Sequence, residues 1–315
     1  MGVSIVSREQ TQTEIEKNNE QENKDVDSQK SSSGLVIFWK ELLNDKLALV
    51  SLIFFTLVTL FVFGVSLILD QDQVVRVDLF AIYEPPSSEF WLGTDYGGRD
   101  VFGQLIIGTR NSLSIGFLVT LISGVIGVVF GVVSGYFGGH VDNFLMRIVD
   151  FFMVLPFFML VIVFVSVAPD YNVWTFSLIM AAFLWMGIAR LIRSKALQEK
   201  ELDYAQASRT LGSSHFSIIF KQVLPNITSL VVVTMTLNLA ANIGIESGLS
   251  FLGFGFPEDT PSLGTLLSYT TNPTTLEERW WIWLPAAILI LLLMLAVRNV
   301  GEALKRAADA RQRRA

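Results

Sequence analysis

Along this chain, long apolar runs alternate with short polar stretches. A helix needs about 20 apolar residues to cross the hydrocarbon core of a bilayer. Six runs qualify: Leu47–Leu69, Leu113–Tyr136, Ile148–Ala168, Val173–Ile192, Ile227–Ile245 and Trp281–Val300. The pattern predicts an all-α membrane protein of six transmembrane helices. An even number of crossings puts both termini on one side. Pro156 and Pro285 fall inside runs and predict bends. Residues 1–34 are polar, without apolar period, and predict a disordered tail. A pre-helix segment follows at 35–46, and the transmembrane core covers 47–300. Within it, loop 70–112 joins the first two spans and loop 193–226 joins the fourth and fifth. Residues 301–315 form a basic tail.

Polar residues inside the runs break the pattern. In the fifth, Thr234, Asn238, Asn242 and Glu246 recur every four residues, so they share one slowly drifting helix face. Such groups are costly in hydrocarbon and face protein or water. The stripe either lines a translocation path or makes interhelical hydrogen bonds, and Glu246 falls near the outer interface. In the second run, Gly127, Gly131 and Gly135 allow another helix backbone to approach closely, within the subunit or between subunits. Asp150 stands three residues after Arg147, the spacing of a helical ion pair.

Composition narrows the class. Hydrophobic residues make up 51% of the 315 positions and net charge is −6. Mean hydropathy is +0.51. These values indicate an integral membrane protein and argue against a nucleic-acid partner. The absence of cysteine excludes disulfides and thiolate metal sites. His140 and His215 are too few for a histidine-rich metal site. No Gly-Lys-Ser/Thr phosphate loop occurs, so no ATP site is expected on this chain. HExxH and GxSxG are also missing, which gives no reason to read an enzyme. The expectation is no catalytic residue, no metal and no cofactor.

Charge sets the predicted orientation. Lys40 and Lys46, the loop cations Arg190, Arg193, Lys195, Lys200, Arg209 and Lys221, and five cations in the tail "EALKRAADARQRRA" mark the cytoplasmic side. The opposite side is acidic, with Asp70, Asp72, Asp78, Glu84, Glu89, Asp95 and Asp100. There "GTDYGGRD" reads as a tight turn: Gly97 and Gly98 permit positive φ, and Asp95 or Asp100 can accept from local amides. Trp280, Trp281 and Trp283 suit an aromatic belt at the outer interface.

The stretch "ELDYAQASRTLGSSHFSIIFKQVLPN" (201–226) is a polar insert between two spans. Gly212 predicts a left-handed helix stop, and Ser213 or Ser214 a new helix start. The short helix between Tyr204 and Gly212 is built around small residues, Ala205, Ala207 and Ser208, which suit docking into a partner's groove.

These residues resemble the cytoplasmic loop of permease subunits in ATP-binding-cassette importers. That pattern is Glu-Ala-Ala, three residues, Gly, then a run ending in Leu-Pro. It is matched here by Gln206-Ala207-Ser208, Gly212 and Leu224-Pro225. Gln206 stands for Glu and Ser208 for Ala. "WLGTDYGGRDVFGQLIIGTRNSL", "MRIVDFFMVLP", "ESGLSFLGFG" through "TPSLG", and "FWKELLNDKLALVSL" are similar to the second permease subunit of oligopeptide and dipeptide importers. The resemblance runs from Phe38 to the end of the sixth span. It implies a type I importer permease of a bacterial plasma membrane, with Tyr204, Ala205, Gln206, Ala207, Ser208, Leu211 and Gly212 coupling it to an ATPase. The implied partners are a homologous permease, two P-loop ATPases that bind ATP and Mg, and an extracellular binding protein delivering peptides. Nickel chelates or glutathione are alternative cargoes within the family. A self-sufficient secondary transporter is the reading outside it; Asp150 and Glu246 serve it poorly, since both are expected near span ends.

Overall fold

The computed structural model describes Leu43 and residues 45–167, 172–256 and 260–312. The predicted tail 1–34 and most of segment 35–46 lie outside the described residues. The helices are α1 (Lys46–Ser66), α2 (Gln71–Val74), α3 (Val101–Phe137), α4 (Gly139–Val154), α5 (Phe157–Val167), α6 (Val173–Glu199), α7 (Asp203–Thr210), α8 (His215–Phe251), α9 (Leu263–Ser268), α10 (Pro273–Glu278) and α11 (Trp280–Gln312). Five of them, α1, α3, α6, α8 and α11, are each long and apolar enough to cross a membrane.

The third predicted span is not one helix. Pro156 has no N–H to continue the ladder, and the chain breaks there into α4 and α5, bent by 78°. Val149 of α4 packs with Trp185 and Ala189 midway along α6. Val161 and Val165 of α5 pack with Phe176 near the start of α6 and Ile115 of α3. The bent pair therefore carries the chain from the end where α3 finishes to the end where α6 begins. Pro285, by contrast, sits close to the start of α11, which runs unbroken to Gln312.

Helix α3 starts at Val101 and not at Leu113, where the apolar run begins. Its 37 residues rise about 55 Å, well beyond the roughly 30 Å hydrocarbon thickness. The extra turns carry Gln104, Thr109, Arg110, Asn111 and Ser112, which hydropathy assigns to loop. Asp100 starts the helix by accepting from the N–H groups of Phe102 and Gly103.

The α3–α6 pair is parallel, and glycine permits its closeness. A Cβ on Gly127 would meet Ile188, on Gly131 would meet Ala189 and Ile192, and on Gly135 would meet Arg193 and Ala196. The Gly127–Gly131–Gly135 stripe thus serves packing within the chain. Helix α8 runs antiparallel to α3: Gly116 lies against Ile243 and Gly124 against Met235. Helix α11 lies antiparallel to α1, where Asn299 donates to Ser51 (3.0 Å) and Arg306 pairs with Asp45.

The Asp150–Arg147 pair suggested by spacing does not form. Asp150 is paired with Arg190 of α6. Beside it, Arg193 grips Asp142 of α4, which also accepts from Ser134 of α3. The tie is between helices, so spacing along one helix could not find it.

At the opposite end, residues 70–100 fold into a cap. Asp95 accepts from the N–H groups of Gly97 (2.8 Å) and Arg99 (3.0 Å), as the "GTDYGGRD" reading expects. Of the two glycines, Gly98 takes the positive φ, +71°. Asp95 and Arg99, 0% and 5% exposed, form a buried ion pair at 2.8 Å. Gln104 and Tyr269 complete the network by bonding to Asp95 and Arg99. Trp281 is not a free interfacial ring: its indole N–H donates to Thr94 O (3.3 Å) and its ring covers Gly93.

Candidate functional site

Helix α7 is an eight-residue rod with Asp203 in its first turn and Arg209 in its last, the sign order that suits a helix dipole. It ends in a closed double-bonded cap. Gly212 N–H donates to Arg209 O (3.0 Å), and Ser213 N–H donates to Ser208 O (3.1 Å). This is a Schellman motif with Gly212 at its left-handed position, φ +82°. The Ser208 hydroxyl donates to Ser213 Oγ across the same turn (2.9 Å). Ser214 then starts α8 by accepting from Ser217 N–H (3.3 Å).

The rod is anchored on one side and open on the other. Ala205 is buried against Ile218 and Ile219 of α8 and the α3–α6 pair. The Tyr204 hydroxyl donates to Glu199 at the end of α6, and Lys195 pairs with the same carboxylate at 3.1 Å. Asn226 of α8 also bonds the Tyr204 hydroxyl. Burial, then the Glu199 hydrogen bond, raises the Tyr204 phenol to a pKa of about 12. Tyr204 therefore stitches the end of α6 to the start of α8. Gln206 turns back along its own loop and donates to Glu201 O (3.0 Å). Ala207, Arg209, Thr210 and Leu211 are exposed, Leu211 by 86%. Between α7 and the end of α3 lies a cavity of about 530 Å³ lined by Lys200, Gln206, Arg209 and His215.

One turn after α7, α8 loosens. Residues Ile219–Val223 form a π-turn. Pro225 explains it: its missing N–H cannot bond Lys221 O, so the ladder shifts register there. Glu199 and Asn226 were not among the residues expected at this site. The i,i+4 spacing of Lys195 and Glu199 was a legible signal for the first; Asn226 had none.

The fifth-run stripe divides in two. Thr234 is half-buried and lines a cavity of about 360 Å³ with Lys195, Lys305 and Asp309. Asn238, also half-buried, donates to Thr234 O on its own helix (2.9 Å). Asn242 is buried and donates to Thr120 Oγ1 of α3 (2.8 Å). Glu246 is 0% exposed and accepts from Ser250 (2.8 Å) and Ser247 (3.3 Å). It is not at an open interface, because the segment before α9 folds over it.

Fold and site together define the class: a multi-pass helical membrane protein with a short exposed helix held rigidly between two spans, as in a transport permease. Residues 127–311 match the family model described as binding-protein-dependent transport system inner membrane component. The chain belongs to this family. It is 47% identical over 274 residues to the oligopeptide transport system permease protein OppC of Lactococcus lactis subsp. cremoris, covering 87% of this chain and 93% of that protein. It is 38% identical over 299 residues to the dipeptide transport system permease protein DppC of Bacillus subtilis, covering 94% and 92%. Its fold is similar to that of the MetNI methionine ABC transporter solved in an inward-facing conformation, with TM-score 0.54, 20% identity, and coverage of 65% of this chain and 96% of that one.

Proposed function

We propose that this chain is the permease subunit that pairs with a homologous permease to import peptides. Two P-loop ATPases holding ATP and Mg would dock on α7, and an extracellular binding protein would deliver the cargo. The relatives' names, oligopeptide and dipeptide permease, support the cargo. The observation that carries the coupling role is α7 itself, exposed on one face and tied on the other to both α6 and α8. In this reading Tyr204, Ala205 and Gly212 set its pose, while Gln206, Ala207, Ser208 and Leu211 meet the ATPase. Chemistry stays on the partner subunits, and this chain needs no cofactor of its own.

The reading takes the bent α4–α5 pair as one crossing, giving six spans with both termini cytoplasmic in a bacterial plasma membrane. The positive loop and tail support that orientation. Helix α8 borders the path, with Thr234 and Asn238 available to it and Asn242 and Glu246 turned toward α3. ATP binding shifts the permease pair only as far as the ATPases bind one of its states more tightly.

Affinity purification in mild detergent tests the proposal. Recovery of a second multi-span permease and P-loop ATPases, with ATP-dependent peptide uptake after reconstitution, is the expected result. A chain that purifies alone and transports without ATP overturns it.

A further inference from the structure

Glu246 is the single carboxylate of the stripe. It is fully buried, and among the described residues no Lys, Arg or His forms an ion pair with it. A buried carboxyl group without hydrogen-bond partners is costly. Its partners here are hydroxyls. Ser247 and Ser250 of α8 donate to it, and the hydroxyls of Ser112 and Ser262 also bond it.

Two of the hydroxyls are themselves positioned by backbone. Ser112 Oγ of α3 accepts from Leu263 N–H (3.1 Å), and Ser262 Oγ accepts from Thr265 N–H (3.2 Å). Each still has its own proton to donate to Glu246. The members of this hydroxyl cage come from α3, α8 and the segment that starts α9. Around it the packing is close: a Cβ on Gly108 would meet Ser262, and one on Gly264 would meet Ser247 and Ser250. Asn111 holds the same segment by donating to Pro261 O (2.8 Å).

We propose that Glu246 is a clasp: its carboxylate ties the 261–265 segment to the α3–α8 pair, and release of this tie is the step that opens the end of the permease opposite α7. This role rests on the importer reading. Glu246 is then a positioning residue that need not touch cargo.

The chain contains no cysteine, so a single reporter is clean. Leu266, 1% exposed on α9, becomes Leu266→Cys; Ile192→Cys, equally buried toward the other end, is the control. Both are placed in the complete complex in liposomes and labelled with a membrane-impermeant maleimide without nucleotide. Glu246→Gln keeps the shape but replaces one of the two acceptor oxygens with an NH2 donor, so one side of the cage loses its bonds. It is expected to raise labelling at position 266 about tenfold or more and leave position 192 unchanged. Glu246→Asp, which keeps both acceptor oxygens, is expected to restore part of the protection, and Ser112→Ala to lose part. Unchanged labelling at 266 in Glu246→Gln overturns the clasp, as does a parallel rise at 192, which would report general loosening. Peptide uptake by the parent complex is scored separately. Its absence would sink the importer reading, while the nucleotide-free contrast at 266 would still decide the tie.

Discussion

Gly212 offers a test in which backbone conformation and side-chain size predict opposite results. Its φ is +82°, and a Cβ built on it would meet nothing within 4 Å. A substituted side chain therefore has room, and the whole cost is the left-handed backbone. Asn tolerates that region through local hydrogen bonding; Ala is disfavoured; a β-branched residue is disfavoured most. The penalty is about 1 kcal/mol for Ala and about 3 kcal/mol for Val. At 1.4 kcal/mol per decade, the capped pose of α7 should fall about fivefold in Gly212→Ala and about a hundredfold in Gly212→Val. If the chain escapes the strain by leaving the pose, both cap hydrogen bonds, from Gly212 and Ser213, are lost with it. The assay is peptide-stimulated ATP hydrolysis by the reconstituted complex, normalised to inserted protein. The expected order is Gly, Asn, Ala, Val. A size effect would instead place Ala above the larger Asn. Ala outperforming Asn, or Val matching Gly, refutes the argument that the left-handed cap sets the pose of α7.

Tyr204→Phe removes the donor to Glu199 and should lower coupled hydrolysis several-fold while insertion stays normal. Because the phenol's pKa is raised to about 12, its contribution is fully present below the ordinary tyrosine value of about 10 and is lost only as pH rises through 12. The wild-type to Phe ratio should therefore be flat from about pH 6 to pH 9, and a ratio that varies over that window counts against the assignment. Arg99→Gln strands the fully buried Asp95 and should destabilise the loop cap by about 3–5 kcal/mol. Thermal unfolding of the purified complex measures this, and the double variant Asp95→Asn/Arg99→Gln should recover much of the loss. Gly131→Leu forces a Cβ to within 2.7 Å of Ala189 O and should reduce the yield of folded, detergent-stable protein, whereas a stripe serving only contact between subunits would leave the isolated chain intact.

Much of this architecture was legible from the pattern of apolar runs, because a bilayer demands length and apolarity locally. The Gly212 stop and the Ser214 start were also legible, since caps are written in one or two residues. What escaped the sequence was fixed by distant partners. The first turns of α3 look like loop because Arg110 and Asn111 are polar, yet Arg110 is held by Gln71 and Asn111 by Pro261 O. Asp150 has a plausible neighbour at Arg147, but the chain brings Arg190 to it across 40 positions. Glu246 follows the last residue of an apolar run, so hydropathy puts it at an edge. Its burial comes from a segment some fifteen residues further on that folds back over it. The proline at 156 signalled a bend, but its size of 78° depends on how α5 packs against α6 and is not encoded in the proline itself.

These separate features converge on α8. At one end it follows the capped α7 through a π-turn, where Pro225 has already removed one ladder bond. A change of direction there would break fewer ladder bonds than one elsewhere in the helix. In the middle, Asn242 fastens it to Thr120, and Ile243 and Leu239 lie on Gly116. At the far end the Glu246 cage fastens it to α3 and to the start of α9. If α7 couples to an ATPase as proposed, a push there would tilt α8 about the Asn242–Thr120 contact and pull on the Glu246 cage. The lever arms on either side, Pro225 to Asn242 and Asn242 to Glu246, are unequal, about 25 Å against 6 Å at 1.5 Å per residue. On that lever, a displacement of a few ångströms at α7 would reach the cage as less than one ångström. That is enough to lengthen hydrogen bonds past their useful range and too small to need repacking of the helix itself. A tie that switches by bond length suits a site made of hydroxyls around one carboxylate, whose energy falls steeply over that distance.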